Sequence, residues 1–186
     1  MTLFQALLAI SAVLVLTLLY LLSTFNHLIR LRNRVRTDFS DIDIQLRRRA
    51  SLIQNLVDMV REYTKHESKT FKEVAAARTA LDNSRTATQT AQANNMLSET
   101  LRSLLMVTED YPELKATENY QQLRQDLLST ENSLAQYREE YNQTVERYNN
   151  TIQTFPNLLV AGLFGFENSD LFQESEGSAF SVAKEA

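Results

Sequence analysis

Residues that form turns are almost absent from this sequence. Among 186 residues there are 3 Gly and 2 Pro, and none of the five precedes Tyr111. β-Sandwiches, β-barrels and doubly wound α/β domains need Gly, Pro or Asn-Gly at their many turns. The region before Tyr111 is therefore incompatible with those folds, and the composition predicts an all-α protein.

Cysteine and tryptophan are missing altogether. Without cysteine the chain can form neither a disulfide framework nor a thiolate metal site. The formal charge is -4, from 19 basic and 23 acidic side chains, and so small a net charge gives no general attraction to nucleic acid. We therefore expect no nucleic-acid partner.

One long apolar run is present, at the N-terminus. Residues 3–22 include no charged residue, no Gly and no Pro, and a helix needs about 20 such residues to cross the hydrocarbon core of a bilayer. A cleaved signal peptide would begin with basic residues and would end at a small-residue cleavage site, and neither feature is present. We predict a transmembrane anchor over residues 1–24, with the lipid bilayer as its first partner.

Basic residues after this span predict its orientation. Four arginines follow it with no acidic residue among them: Arg30, Arg32, Arg34 and Arg36. No basic side chain precedes the span, so the positive-inside rule places the C-terminal body in the cytoplasm and the N-terminus outside. Arg47, Arg48 and Arg49 would lie about 40 Å beyond Leu22 along a helix, which is far more than the Debye length of about 8 Å. This second cluster is either a solvated helix face or a docking patch for an acidic partner.

A helical pattern continues from the span into the body of the chain. Apolar or small side chains recur every three or four residues over 28–60, which predicts an amphipathic helix. Near Tyr63 the sequence fits a capping box, with Thr64 as the N-cap and Glu67 as its reciprocal acid. The first helix either breaks there or runs on to about Leu81.

If the first helix breaks near Tyr63, the apolar stripe up to Leu81 forms a second helix, and another short helix is predicted before the long returning one. The polar tract over 84–93 predicts a loop or a frayed helix end, and the leucines of 97–108 predict a short amphipathic helix. Pro112 ends that helix at Tyr111 and suits the first turn of the next. The returning helix is predicted over 113–155.

A seven-residue repeat marks the returning helix. Its members are Tyr120, Leu127, Leu134, Tyr141, Tyr148 and Phe155. A seam of this period is typical of helices that pack on other helices, as in a coiled coil. Asn142 and Asn149 stand beside two of the tyrosines, and we expect them to fix the register of a helix interface.

Helix lengths favour an up-and-down antiparallel bundle, over residues 25–166, carried on a two-stranded stalk. The stalk would pair Leu28, Leu31, Val35 and Phe39 with Tyr148, Ile152 and Phe155. Because such a seam is thin, we expect homo-oligomers. The apolar run over 157–166 is too short to span a bilayer; it either caps the stalk or inserts into the membrane interface. Residues 167–186 are predicted to form an acidic disordered tail.

Few residues are candidates for chemistry. The chain has 2 His: His27 adjoins the span, and His66 lies near Glu62 and Glu67. A bundle that binds two metals needs Glu-x-x-His on two helices, and no Gly-rich phosphate loop or strained nucleophile turn is found. We predict no catalytic, cofactor-binding or metal-binding residues, and no enzyme.

Six successive segments resemble the signature blocks of the LemA family. They read FNHLIRLRNRV, IDIQLRRRASLIQNLV, YTKHE, EDYPELKATENY, STENSLAQYREEYNQTVERYN and FPNLLVAGLFGF. Departures are small: Gln54 replaces a usual Pro, and Asp38 and Phe39 replace a usual Ala-Trp.

The resemblance implies a bacterial membrane protein with one N-terminal span, a cytoplasmic helical bundle and no established catalytic activity. Gene neighbourhoods of the family often include a membrane zinc protease, which suggests envelope or membrane-protein quality control. We expect an anchored, non-enzymatic scaffold or adaptor for an unknown protein partner. The alternative is a stress-sensing transducer that couples the span to a cytoplasmic partner.

Overall fold

The computed structural model describes residues 3–64 and 67–173, and the regular structure in them is entirely helical. The helices in chain order are α1 (Leu3–Tyr63), α2 (Ser68–Asn83), α3 (Ala87–Glu109), α4 (Pro112–Lys115), α5 (Glu118–Gln153) and α6 (Asn157–Phe164). The prediction of an all-α fold is confirmed.

The chain divides into two compact units. Of the described residues, the first contains 3–37 together with 143–169, and the second contains 38–142 together with 170–173. Both α1 and α5 contribute to each unit. This division reflects which residues pack together. The predicted division into an anchor over 1–24, a bundle over 25–166 and a tail over 167–186 reflects the expected position of the membrane, and it remains a prediction.

The first helix is uninterrupted from Leu3 to Tyr63, because its sequence offers no Gly or Pro at which it could break. It ends before Thr64, and α2 begins at Ser68, so the helix breaks and does not run on. The predicted capping box is wrong in its residues: the N-cap of α2 is Glu67, and its side chain makes no capping hydrogen bond. The backbone N–H of Thr64 instead donates to Val60 O at 3.0 Å.

In the second unit the predicted apolar stripe of α1 is buried. Its buried members there are Ile42, Leu46, Ala50, Ile53, Val57 and Val60, and Leu56, which was not part of the predicted stripe, is buried as well. They share the core of this unit with side chains of the other helices, of which the fully buried leucines are Leu81, Leu97, Leu104, Leu114 and Leu134.

The start of α3 differs from the prediction. The tract over 84–93 is not a loop: only 84–86 lies outside the helices, and the Thr86 side chain caps α3 by accepting from the Gln89 N–H at 3.2 Å. The buried side chains of this first part are small: Ala87, Thr90, Ala91, Ala93 and Asn94. Small side chains allow α3 to pack closely against α2, so the scarcity of large apolar residues signals close packing and not a loop.

The returning helix is also divided. Pro112 starts the single turn of α4, as its fixed φ favours, and α5 then begins at Glu118. The Thr117 hydroxyl oxygen accepts from the Tyr120 N–H at 3.3 Å, which satisfies one N–H of the first turn of α5.

In the first unit, four of the predicted stalk residues are buried. Leu28 and Val35 of α1 and Tyr148 and Ile152 of α5 are each at most 6% exposed. Phe155 is a wrong prediction, because it lies beyond the end of α5 and is 74% exposed. The peptide bond that follows it, to Pro156, is cis.

Candidate functional site

The N-terminal third of α1 has no protein covering it. Within its most apolar 18-residue window, none of the residues is buried, and the mean hydropathy is 2.5. Large exposed side chains surround the helix on every side, including Leu7, Leu8, Ile10 and Val13. This segment is therefore long and apolar enough to span a membrane, as predicted.

Aromatic contacts join the end of this segment to α6 and to Phe166, which follows α6. The Tyr20 hydroxyl donates to Asn157 Oδ1 at 3.2 Å. The Phe25 ring lies 4.8 Å from the Phe164 ring and 5.9 Å from the Phe166 ring, centroid to centroid. Both ends of α6 therefore contact α1 close to residue 22, where the apolar run ends.

The remaining surface of α6 is apolar and exposed. Only Val160 and Ala161 of this helix are buried. The exposed fractions of the large side chains are 74% for Phe155, 50% for Leu158, 65% for Leu159, 74% for Leu163 and 52% for Phe164. No charged residue occurs over 155–166. α6 thus packs on the first unit with one face and leaves a second apolar face open.

In the same unit, Tyr148 and Asn149 bind the backbone of the segment that follows α6. The Tyr148 hydroxyl donates to the Glu167 carbonyl at 3.0 Å. Asn149 makes two bonds to Ser169: its Nδ2 donates to the carbonyl at 2.9 Å, and its Oδ1 accepts from the N–H at 2.9 Å. We call this pair of residues the first backbone clamp.

The second unit has an equivalent pair, Tyr141 and Asn142. The Tyr141 hydroxyl donates to the Asp170 carbonyl at 2.8 Å. Asn142 donates to the Phe172 carbonyl at 3.1 Å and accepts from the Phe172 N–H at 2.8 Å. We call this pair the second backbone clamp; Phe172 itself is 3% exposed.

The two clamps correct the role expected for the asparagines. Asn142 and Asn149 bind the main chain of non-helical residues instead of fixing a helix interface. Residues 167–173 of the predicted disordered tail are accordingly held by hydrogen bonds, and residues 174–186 lie outside the described part of the chain. The signal in the sequence was the repeated Tyr-Asn pair, seven residues apart.

Burial perturbs the tyrosines of both clamps. It raises the pKa of Tyr141 to about 12, and the charge of Asp170 adds to the shift. Burial also raises the pKa of Tyr148, although Arg32 and Arg36 oppose that shift. Both phenols are therefore neutral donors at physiological pH, a state that suits carbonyl binding and not acid-base chemistry.

The arginine triplet of α1 splits into exposed and buried members. The Arg47 side chain is 53% exposed and forms ion pairs with Asp43 at 2.8 Å and with Asp82 at 3.2 Å. Arg48 is 52% exposed and lies 3.9 Å from Asp126. Arg49 is 1% exposed, so the triplet is not a uniform solvated face.

Arg49 is the centre of a buried polar cluster in the second unit. Its Nη1 donates to Asn94 Oδ1 at 2.7 Å, and its Nη2 lies 3.0 Å from Glu131 Oε2. The other Glu131 oxygen lies 3.5 Å from Nη2 of Arg138, which is also largely buried. Burial lowers the pKa of Arg49 and of Arg138, and the charge of Glu131 partly opposes both shifts.

This cluster was missed by sequence reasoning. A buried arginine cannot be told from its exposed neighbours by residue type alone, and Asn94 directly follows the tract over 84–93 that was predicted to be a loop or a frayed helix end. The spacing of Glu131 and Arg138, seven residues apart on α5, is the one signal that places both on the same face of a helix.

The candidate metal ligands are not brought together. His27 and Glu62 are exposed on α1, and His66 lies outside the described residues. Across residues 3–64 and 67–173, no group of three or more His, Asp or Glu side chains is placed to hold a metal ion.

Comparison with known families fits this architecture. The family model described as LemA family matches residues 38–183, which is most of the chain. The chain belongs to the LemA family. The matched part of this LemA protein begins where the second compact unit begins, and it includes both backbone clamps and the arginine cluster. No curated protein matches the chain.

Proposed function

We propose that this LemA protein is a membrane-anchored, non-enzymatic helical scaffold or adaptor that presents a cytoplasmic bundle to a protein partner. The observation that carries the proposal is the continuity of α1. One unbroken helix begins with an exposed apolar segment and continues with residues that are buried in each compact unit. The anchor and the packed helices therefore share one element, as suits a protein that presents a surface at a membrane.

The use of charge in the second unit supports a non-enzymatic role. Glu131 pairs with both Arg49 and Arg138 inside the unit, so each of these three charged groups has a partner within the protein. The tyrosines with raised pKa values donate to backbone carbonyls. Burial and partners within the protein therefore explain the shifted pKa values of these arginines and tyrosines.

The proposed location is the bacterial inner membrane, with the N-terminus outside. Arg30, Arg34 and Arg36 are exposed just beyond the span, where positive charge favours the cytoplasmic side. Alkaline phosphatase fused after Ala186 should be inactive, whereas β-galactosidase fused at the same position should be active. The opposite result would overturn the orientation.

Presentation to a partner is tested by crosslinking in native membranes. Ile44 is a large apolar residue of the second unit that is 56% exposed, so a photocrosslinking residue placed there samples the bundle surface. We expect crosslinks to a second copy or to a partner protein, which mass spectrometry would identify. A monomer that captures no protein from this position, or from the similarly exposed Met106, would contradict the scaffold proposal.

The second candidate function is a transducer, and the same continuity of α1 favours it. A helix without a break between the span and the second unit could transmit a movement of the span. Single cysteines at the exposed positions Asn33 and Thr37 would report on contacts between copies. Crosslinking that changes under envelope stress would support a transducer, and an unchanged pattern would count against it.

A further inference from the structure

The open face of α6 lies beside a segment that is itself fully exposed and apolar. Leu159 and Leu163 are 65% and 74% exposed, although α6 has no polar side chain after its first residue, Asn157. Apolar patches of this kind on an otherwise polar surface mark sites of interaction. The question is which partner covers this face.

The contacts of α6 with α1 set its depth relative to the span. Tyr20 precedes Leu22 by two residues and Phe25 follows it by three, which is about 3 Å and about 4.5 Å along a helix axis. Tyr20 bonds to the first residue of α6, and Phe25 packs on the last. When the span crosses the bilayer, α6 is therefore held where the hydrocarbon core meets the headgroups.

The chemistry of α6 suits that depth. It has no charged residue to desolvate. The first arginine of α1 after the span is Arg30, about 12 Å beyond Leu22 along the helix axis. Tyr and Trp are enriched at the level of the headgroups, and Tyr20 lies at that level. Apolar burial, rather than attraction to anionic lipid, would provide the affinity.

We propose that α6 inserts its open apolar face into the cytoplasmic-side interface of the bilayer, as a second membrane contact beside the span. The inference rests on the proposed anchor, because the depth of α6 follows from that of Tyr20 and Phe25. Lipid is favoured over a second copy because the open face is continuous, within one unit, with the exposed surface of the span. Lipid that surrounds Tyr20 must also reach Asn157, to which Tyr20 is bonded.

The absence of cysteine makes a clean depth measurement feasible. Single-cysteine variants of the full-length protein would carry an environment-sensitive fluorophore in vesicles of phosphatidylethanolamine and phosphatidylglycerol. Leu163→Cys and Leu159→Cys report on α6. Leu14→Cys reports on the span, and Ile44→Cys, with a comparable exposure of 56%, reports on the second unit. Lipids with a nitroxide either near the headgroup or near the chain end would quench the fluorophore according to depth.

We expect both α6 positions to show blue-shifted emission and stronger quenching by the headgroup-proximal nitroxide than by the deep one. Leu14 should be quenched most by the deep nitroxide, and Ile44 by neither. If Leu14 is quenched while both α6 positions behave like Ile44, the inference is overturned and the anchor is retained. α6 positions that resist both lipid quenchers and aqueous iodide would show a protein partner on this face, which also overturns it.

An unquenched Leu14 would overturn the anchor and hence the proposed function. Because the inference rests on that anchor, it would fall with it, whatever the α6 positions show.

Discussion

The buried cluster around Arg49 makes an asymmetric prediction. Glu131 lies between two largely buried guanidinium groups, 3.0 Å from Arg49 and 3.5 Å from Arg138. Replacing Glu131 by Gln keeps the shape of the side chain but removes the negative charge between them. Replacing Arg49 by Met leaves Glu131 still paired with Arg138.

The two changes should therefore differ in cost. Removing one partner of a buried ion pair typically costs about 3–5 kcal/mol, because a desolvated charge is left uncompensated. We expect this cost for Glu131→Gln, since Arg49 is 1% exposed. For Arg49→Met we expect about 1–3 kcal/mol, because the principal loss is the hydrogen bond to Asn94.

Asp126 provides a matched control on the same helix. It lies 3.9 Å from the exposed Arg48, and its own side chain is 38% exposed. The same carboxylate-to-amide change, Asp126→Asn, should cost at most about 1 kcal/mol, as exposed ion pairs do.

Equilibrium urea unfolding of the full-length protein in mild detergent measures all three changes. Glu131→Gln should be the least stable variant, and the Arg49→Met/Glu131→Met double variant should recover part of its loss. The reasoning is refuted if Glu131→Gln and Asp126→Asn cost the same, because burial of Arg49 would then have no energetic consequence.

Three further predictions concern α3 and the backbone clamps. Ala91→Leu should cost about 1–3 kcal/mol of unfolding free energy through overpacking, since Ala91 is 2% exposed, whereas the adjacent exposed Gln92→Leu should be nearly neutral. Asn149→Ala removes two hydrogen bonds, worth about 1–3 kcal/mol together, and limited proteolysis should then cut within 167–173; Asn150→Ala, at an exposed neighbouring position, should not have this effect. Burial raises the folded-state pKa of Tyr141 to about 12, above its ordinary value of 10.0, so the free energy of unfolding should fall as the pH rises from 10 toward 12. Tyr141→Phe should reduce that loss in alkaline unfolding experiments. If the free energy of unfolding falls equally steeply with pH in the wild type and in Tyr141→Phe, the prediction is wrong.

The helices with large apolar side chains were predictable from sequence. Periods of three and four residues identify the buried stripe of α1, because each large side chain on the wrong face would expose apolar area to water. The exposed span was predictable from a different pattern, because its apolar residues surround the helix and leave no polar face to meet water. The absence of Gly and Pro predicted that α1 continues without a break from the span into the body of the chain, but it left open where the helix ends.

The remainder depends on tertiary context. The small residues of α3 carry little hydrophobic signal, and they become informative only once α2 is known to lie against them. Asn142 and Asn149 can pair with a helix, with solvent or with a main chain, and the sequence does not distinguish these partners. Likewise, Arg47 and Arg49 are identical residues two positions apart, and only the position of the other helices decides which is buried.

The glycines around α6 yield a final matched pair. Gly165 ends the helix with φ 66, and the Phe166 N–H then donates to Ala161 O at 2.9 Å. An L-residue in this left-handed conformation costs about 1–2 kcal/mol, so Gly165→Ala should destabilise the end of α6 by that amount and weaken the contact of Phe166 with Phe25. Gly162 needs no such conformation, and a Cβ there would meet nothing within 4 Å; Gly162→Ala should therefore gain about 0.5–1 kcal/mol, as Ala does over Gly inside a helix. Opposite signs in urea unfolding are the expected result. Equal effects of the two substitutions would mean that the turn at Gly165 does not hold Phe166 in place. The position of α6 beside the span would then depend on the contacts of Tyr20 with Asn157 and of Phe25 with Phe164.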